Sequence, residues 1–339
     1  MNNREIPILT ISGSPSSMGE QHGSAMKMQI QELVEIRTNL LLQKSGAKIS
    51  HLKSIAEQAW NIVCTAVPCI AEEVAATAFT SHVSEWELMV AGAYSDIADV
   101  LHAELECSSE CTVGIIPIKS RIYGTWDSHF DAVDRALILK RVSDDGVTTI
   151  ALTTAGWPIQ FGVNSNGLAF GITNLTPQTA TASGIPYIAV ISQVGFMRNV
   201  DEAKHWLHLQ KFMSGHSYIL VDQKNALVIE TTSETTASHK LSESFVQTNH
   251  YASNIDDNSK YKFLKRSMTR KLELQEAIDS ITDEDVFLQW LNAHPNVLRI
   301  PNSGSNIASC AIYSIDAKEK CIWVASSFDY QSNMKKISL

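Results

Sequence analysis

Antiparallel β-sheets covered by helices, an α+β arrangement, are the fold class the sequence predicts, and three observations predict it. About a hundred residues near the start carry helical periodicity, with glycine and proline scarce. Short β-type runs take over at Cys111. Those runs come as consecutive hairpins with helical stretches gathered between them, which is not the strand–helix alternation of a parallel sheet. No repeat, low-complexity tract or long linker divides the 339 residues. A helical segment, 1–110, and a β-rich segment, 111–339, are therefore expected to build one domain.

In chain order, Met18, His22, Met26, Met28, Ile30, Leu33, Ile36, Leu40 and Leu41 recur at three- and four-residue spacings and predict an amphipathic helix. A second helix is expected over 51–67, stopped by Pro68, and a third over 70–79. A fourth is expected from 84 to about 105, with Ser84 as N-cap and Glu87 completing a capping box. Strands follow over 112–118, 121–126, 136–142, 148–154, 159–163 and 168–173. Asp144-Asp145-Gly146 and Asn164-Ser165-Asn166-Gly167 supply turn chemistry between some of them. Helices are predicted over 188–197 and 201–209, then strands over 217–221, 227–232 and 245–248. Polar helices over 257–277 and 283–292 precede the last strands, 309–315 and 321–326.

Composition narrows the function. A hydrophobic fraction of 44% and a charged fraction of 19% describe a soluble globular chain with a substantial core. The net charge is −9 and no Lys/Arg run appears, which argues against nucleic acid as a partner. The first residues lack the apolar stretch of a signal peptide, and no apolar run approaches the ~20 residues of a membrane span, so no membrane partner and a cytoplasmic location are expected. Six cysteines imply no disulfide framework. Cys107 and Cys111 stand four apart with His102 and His129 nearby, but no CxxC pair or HExxH helix accompanies them, so no metal is expected. Cys64, Cys69, Cys310 and Cys321 read as small buried apolar residues.

Cys111 stands where the helical pattern gives way to the β pattern, followed by Thr112 and, further on, Trp126-Asp127. If the preceding peptide bond is cut, such a cysteine becomes an N-terminus. Its thiol is then a nucleophile, and its freed α-amine, with a pKa near 8 in model compounds, is a local base. The chain resembles the acyl-coenzyme A:6-aminopenicillanic acid acyltransferase family, a cysteine branch of the N-terminal-nucleophile hydrolases. The resemblance rests on Gly13-Ser14-Pro15 with Gly19 and His22-Gly23, on Cys111-Thr112 and on Gly124-Thr125-Trp126-Asp127. It continues through Ala155-Gly156, Gly162-Val163-Asn164-Ser165-Asn166-Gly167, Gly184-Ile185-Pro186 and Thr248-Asn249-His250.

The resemblance implies a four-layer αββα sandwich with the nucleophile at a strand start between the sheets. It also implies self-cleavage at Glu110–Cys111 and a thioester on Cys111. Asn249 would donate to the oxyanion, and Asp127 would orient the Cys111 amine or polarise the scissile peptide. Thr112, His216, Ser305 and Asn306 are the expected substrate contacts, and His250 reads as a packing histidine. Departures from the family pattern are Glu110 in place of glycine, Asn306 and Ser192 in place of arginines, and His216 in place of a small hydroxyl residue. They make a penicillin nucleus an unexpected substrate. The function expected is transfer or hydrolysis of an acyl group on a small-molecule amide, with an amine or acyl thioester as the other partner. No cofactor is expected, and acyl-CoA would enter only as a substrate. After cleavage the two fragments would form a heterodimer. The competing expectation is an uncut, non-catalytic binding or scaffold protein of the same fold, and cleavage at Glu110–Cys111 discriminates the two.

Overall fold

The periodic stretch before Cys111 folds into six helices, and a strand precedes them that periodicity did not predict. The structure is a computed structural model that describes residues 5–103, 110–299, 307–326 and 334–339. β1 (Ile8–Gly13) is an edge strand with only Ile11 buried, so it shows no apolar alternation to read. α1 (Pro15–Ala25) starts with proline in its first turn and with Ser14 as N-cap. α2 (Lys27–Ser45), α3 (Ile49–Ala66) and α4 (Pro68–Ser81) follow. The predicted fourth helix is two, α5 (Glu85–Gly92) and α6 (Tyr94–Val100). Glu87 accepts the Ser84 backbone N–H at 2.7 Å, as the capping box requires.

The motif around Pro15 is structural. A Cβ on Gly19 would lie 2.1 Å from the Glu73 carbonyl oxygen, and one on Gly23 would lie 2.4 Å from that of Thr77. Only glycine lets α1 and α4 approach so closely. His22, buried between them, accepts the Gly156 N–H on Nε2 at 3.2 Å. Cys64 and Cys69 correct the sequence reading. They are exposed because they lie on the solvent sides of α3 and α4, while Cys310 and Cys321 are buried as expected.

The remaining strands are β2 (Thr112–Ile116), β3 (Arg121–His129), β4 (Ala136–Ser143), β5 (Thr148–Thr154), β6 (Phe161–Asn164) and β7 (Ala169–Asn174). Helices α7 (Tyr187–Val194) and α8 (Val200–Leu207) interrupt them before β8 (His216–Val221), β9 (Ala226–Thr231), β10 (Thr236–Lys240) and β11 (Phe245–Gln247). Then come α9 (Leu264–Ala277), α10 (Glu284–Asn292), β12 (Ile307–Asp316), β13 (Cys321–Ala325) and β14 (Lys335–Ser338). The predicted polar helix from 257 begins later, at Leu264. β10 and β14 are mostly polar and partly exposed, which hid them in the sequence.

Two sheets result, ordered β1-β4-β5-β6-β7-β8-β9-β10 and β11-β2-β3-β12-β13-β14. All pairings are antiparallel except β1 with β4. Their inner faces meet through Phe161 of the first sheet, whose ring lies 5.8 Å from Trp126 and 4.9 Å from Tyr313 of the second. Helices cover both outer faces. On the first sheet, Arg141 of β4 forms a buried ion pair with Glu73 of α4. On the second, Tyr123, Ile116 and Ile312 pack against Leu274, Ile278 and Phe287 of the α9–α10 region. The order is helix, sheet, sheet, helix. Among the described residues no helix is long and apolar enough to cross a membrane.

Candidate active site

Strand geometry at the start of β2 divides the site in two. Thr112 pairs with Thr125 of β3, and two residues earlier the Glu110 N–H donates to the Asp127 carbonyl at 3.3 Å. The ladder thus reaches past the strand's start and holds the backbone on both sides of the Glu110–Cys111 bond. Successive side chains point to opposite faces, so Cys111 faces the gap between the sheets while Glu110 and Thr112 face the helical layer.

The inner side is a cavity of about 40 Å³ that Cys111 shares with Arg37, Trp126, Phe161, Tyr187 and His216. His216 stacks on Tyr187 with ring centroids 4.4 Å apart, and its Nδ1 lies 3.5 Å from Asp96 Oδ1. Burial pushes His216 down to about 3. Burial also drives the Asp96 carboxyl far above the carboxylate range, against the hydrogen bond donated by the Tyr187 N–H. The imidazole is therefore neutral at neutral pH, and it faces a carboxyl that burial shifts toward its protonated form. The Cys111 thiol, 2% exposed, is pushed up to about 12 by burial, with the Asp127 charge adding to it. The Asp127 N–H and Arg270 pull in the opposite direction but do not prevail. In the uncut chain the thiol is un-ionised.

The outer side is polar and tightly bonded. Oε2 of the buried Glu110 accepts from Arg266 at 2.7 Å and Arg270 at 3.1 Å, and Arg299 Nη1 lies 3.1 Å from it as an ion pair without hydrogen-bond geometry. Arg270 also donates through Nε to Thr112 Oγ1 at 3.1 Å and through a terminal nitrogen to Asn249 Oδ1 at 2.6 Å. Asn249 Nδ2 donates to the Asn174 carbonyl at 3.0 Å, and its backbone N–H donates to Ser267 Oγ at 2.9 Å. These partners fix which end of the Asn249 amide carries hydrogens and leave a second N–H on Nδ2. Asn174, in turn, lines the Cys111 cavity.

Asp127 follows Trp126 on β3 and faces the outer side. Its Oδ1 accepts from Ser309 Oγ at 2.6 Å, and Ser309 Oγ accepts the Arg299 N–H at 2.9 Å. A register shift in the β3–β12 pairing between Ser309 and Ala311 places this serine opposite the aspartate. Asp127 Oδ2 is buried and has no hydrogen-bond partner among the described residues. Burial pushes the Asp127 carboxyl up to about 7, against the opposing pull of Ser309 and Arg270.

The structure therefore brings together Glu110, Cys111, Thr112, Asp127, His216 and Asn249. Thr112 turns to Arg270 and does not line the cavity. His250 bonds Ser267 Oγ at 2.8 Å and Thr248 Oγ1 at 3.1 Å through Nδ1, and burial pushes it down to about 4. Ser305 and Asn306 lie outside the described residues, as does Cys107. Among the described residues no group of three or more His, Cys, Asp or Glu is placed to hold a metal. Sequence reasoning missed Arg266, Arg270, Arg299, Ser309 and Asp96. The one available signal was Arg266 and Arg270 at a four-residue spacing on α9, which read as an ordinary solvated helix face.

Two helix-covered sheets with a cysteine at the entry to an inner strand between them define a four-layer αββα sandwich. The profile of the family described as acyl-coenzyme A:6-aminopenicillanic acid acyl-transferase matches residues 120–329, more than half of the chain. The chain belongs to that family. The matched stretch holds Asp127, His216 and Asn249 and begins after Cys111. The 40 kDa form of acyl-coenzyme A:6-aminopenicillanic-acid-acyltransferase from Emericella nidulans is 24% identical over 216 residues, which span 63% of this chain and 59% of that relative. Among solved structures, a mutant of the conjugated bile acid hydrolase from Clostridium perfringens is similar at a TM-score of 0.44 and 12% identity, over 68% of this chain and 92% of that one. Penicillin V acylase from Agrobacterium tumefaciens is similar at 0.42 and 14%, over 67% and 91%.

Proposed function

We propose that the protein is a self-processing cysteine acyltransferase or amidohydrolase that carries the acyl group of a small-molecule amide as a thioester on Cys111. The observation that carries this reading is the buried, unpartnered Oδ2 of Asp127, on the strand that pairs with the Glu110–Cys111 backbone. A buried carboxylate oxygen without a donor is costly, and a freed Cys111 amine is a donor of the right charge. In the uncut chain Cys111 has only a peptide nitrogen and a thiol held near 12. Scission supplies the missing base.

In turnover, the amine takes the thiol proton as Sγ bonds to the acyl carbonyl carbon. Asn249 offers its second Nδ2–H to the oxyanion, and the amide C–N bond then breaks. Water or an amine acceptor releases the acyl group, so hydrolysis and transfer share the intermediate, with acyl-CoA as one class of donor. The two fragments would stay together as a heterodimer, since the helices before Cys111 cover the first sheet. The test is to incubate the protein with short acyl thioesters and p-nitroanilides and record its mass under denaturing conditions. An acyl increment on the fragment beginning at Cys111, removed by hydroxylamine, is expected. Turnover without any such increment under rapid quench would contradict the thioester.

A further inference from the structure

In self-cleavage the first acyl group that Cys111 receives is that of Glu110, so the surroundings of Glu110 describe an acyl subsite. Its side chain is buried, and a single carboxylate oxygen meets three guanidiniums. Arg270 is buried and ties that carboxylate to Thr112 and Asn249. Arg266 and Arg299 reach outward, and with Lys265 they line an open groove of about 370 Å³. The groove's neighbouring acid, Glu273, is bound by Asn296. This collects three guanidiniums around one glutamate, with Lys265 on the groove beyond and Asp127 also within the field of Arg270, in a chain of net charge −9.

We propose that the Arg266–Arg270–Arg299 cluster is an anion subsite for the acyl part of the substrate, which Glu110 fills in the uncut chain. The inference rests on the thioester reading above and names its substrate class. The same sulfur attacks both carbonyls, so a later acyl group takes the direction Glu110 now takes. In Glu110 the reacting carbonyl and the side-chain carboxylate are separated by Cα, Cβ and Cγ. That is the skeleton of a glutaryl or an α-linked glutamyl group.

The two reactions balance alike. In self-cleavage Sγ bonds the Glu110 carbonyl carbon, the C–N bond to Cys111 breaks, and the thiol proton ends on the new amine. Water then splits the thioester to the Glu110 carboxylic acid and the thiol. In turnover Sγ bonds the glutaryl carbonyl carbon, the amide C–N bond breaks, and the proton leaves on the product amine. Water releases the free dicarboxylic acid. Displacing Glu110 takes a carboxylate from beside the buried Arg270, and an incoming carboxylate restores it.

One arm of the test does not depend on cleavage. N-methylglutaramic acid is titrated by calorimetry against Cys111→Ala and against the double variant Glu110→Gly, Cys111→Ala. Binding on the order of 10–100-fold tighter to the double variant is expected, because Glu110 no longer fills the site. Equal binding to the two, or none to a double variant that unfolds cooperatively, overturns the subsite. The second arm uses processed wild type, which needs no altered residue to fold. Glutaryl-p-nitroanilide should exceed pentanoyl-p-nitroanilide in kcat/KM by on the order of 10–100-fold, and that ratio should fall in Arg299→Met. A ratio at or below one overturns the proposal. A wild type that stays uncut and forms no adduct contradicts the thioester reading instead, and the first arm still decides the subsite.

Discussion

The two faces of the chain at Cys111, where it enters β2, are built of different materials. Toward the other sheet lie Trp126, Phe161, Tyr187, a neutral His216 and the buried Arg37 around a cavity of about 40 Å³. Toward α9 lie Glu110, Asp127, Asn249 and three arginines; Arg266 and Arg270 donate to Glu110, Arg270 also to Asn249, and Ser309 donates to Asp127. The inner face buries the thiol and keeps it protonated. The outer face concentrates charge, and the ladder to β3 holds the backbone on both sides of the Glu110–Cys111 bond. Strand alternation alone produces the division, because residues 110, 111 and 112 must point out, in and out. The Cys111 thiol is thus separated from the polar cluster by the strand backbone itself.

Changes on the outer face should cost most. Arg270→Met removes the buried cation shared by Glu110, Thr112 and Asn249, and it should lower unfolding free energy by about 3–5 kcal/mol in urea titrations. A loss below about 1 kcal/mol would mean that the cluster is a surface feature. Next, Asn249→Ala should lower kcat on a p-nitroanilide by about 10²–10³-fold, with cooperative unfolding retained. A change of less than about threefold would remove Asn249 from the oxyanion role.

Asp127→Asn sharpens the comparison through pH. Its carboxyl stands at about 7 in the folded chain and near 4 when unfolded, so the native state holds the proton through that window. Stability should therefore fall as pH rises from about 4 to about 7 and level off above. Asp127→Asn should flatten that slope in thermal unfolding done in the Cys111→Ala background. A slope would still remain from Asp99, also pushed up to about 7 by burial. The smallest effect is expected at Arg266, whose side chain is 44% exposed: Arg266→Met should cost no more than about 1 kcal/mol. A loss equal to that of Arg270→Met would erase the distinction between the buried and exposed members of the cluster.

How much of this was readable in the sequence depends on whether local pattern or tertiary contact decides each element. Strands such as 148–154 carry continuous buried apolar and β-branched runs and were legible to the residue. β1 and β10 were not, because edge position leaves their faces half exposed. At the split between α5 and α6, Trp157 from far along the chain donates through Nε1 to the Leu88 carbonyl at 3.0 Å and leaves no room for a Cβ on Gly92. Several motif residues prove structural. Asn164 accepts from the Asn166 and Leu168 N–H groups and donates to the Gly195 and Met197 carbonyls, pinning the hairpin to the α7 layer. In the site, Cys111, Asp127, Asn249 and His216 could be named from local motifs. The arginines could not, because a basic residue on a polar helix reads the same whether water or a buried carboxylate faces it.

The central claim, that Cys111 is a nucleophile unmasked by cleavage of its own chain, is tested most directly by intact-protein mass under denaturing conditions. Freshly purified wild type should give two fragments, residues 1–110 and 111–339, and Cys111→Ala should give one uncut chain. A wild type that persists as a single chain of full mass, or a Cys111→Ala chain that is cut at the same bond, would contradict it.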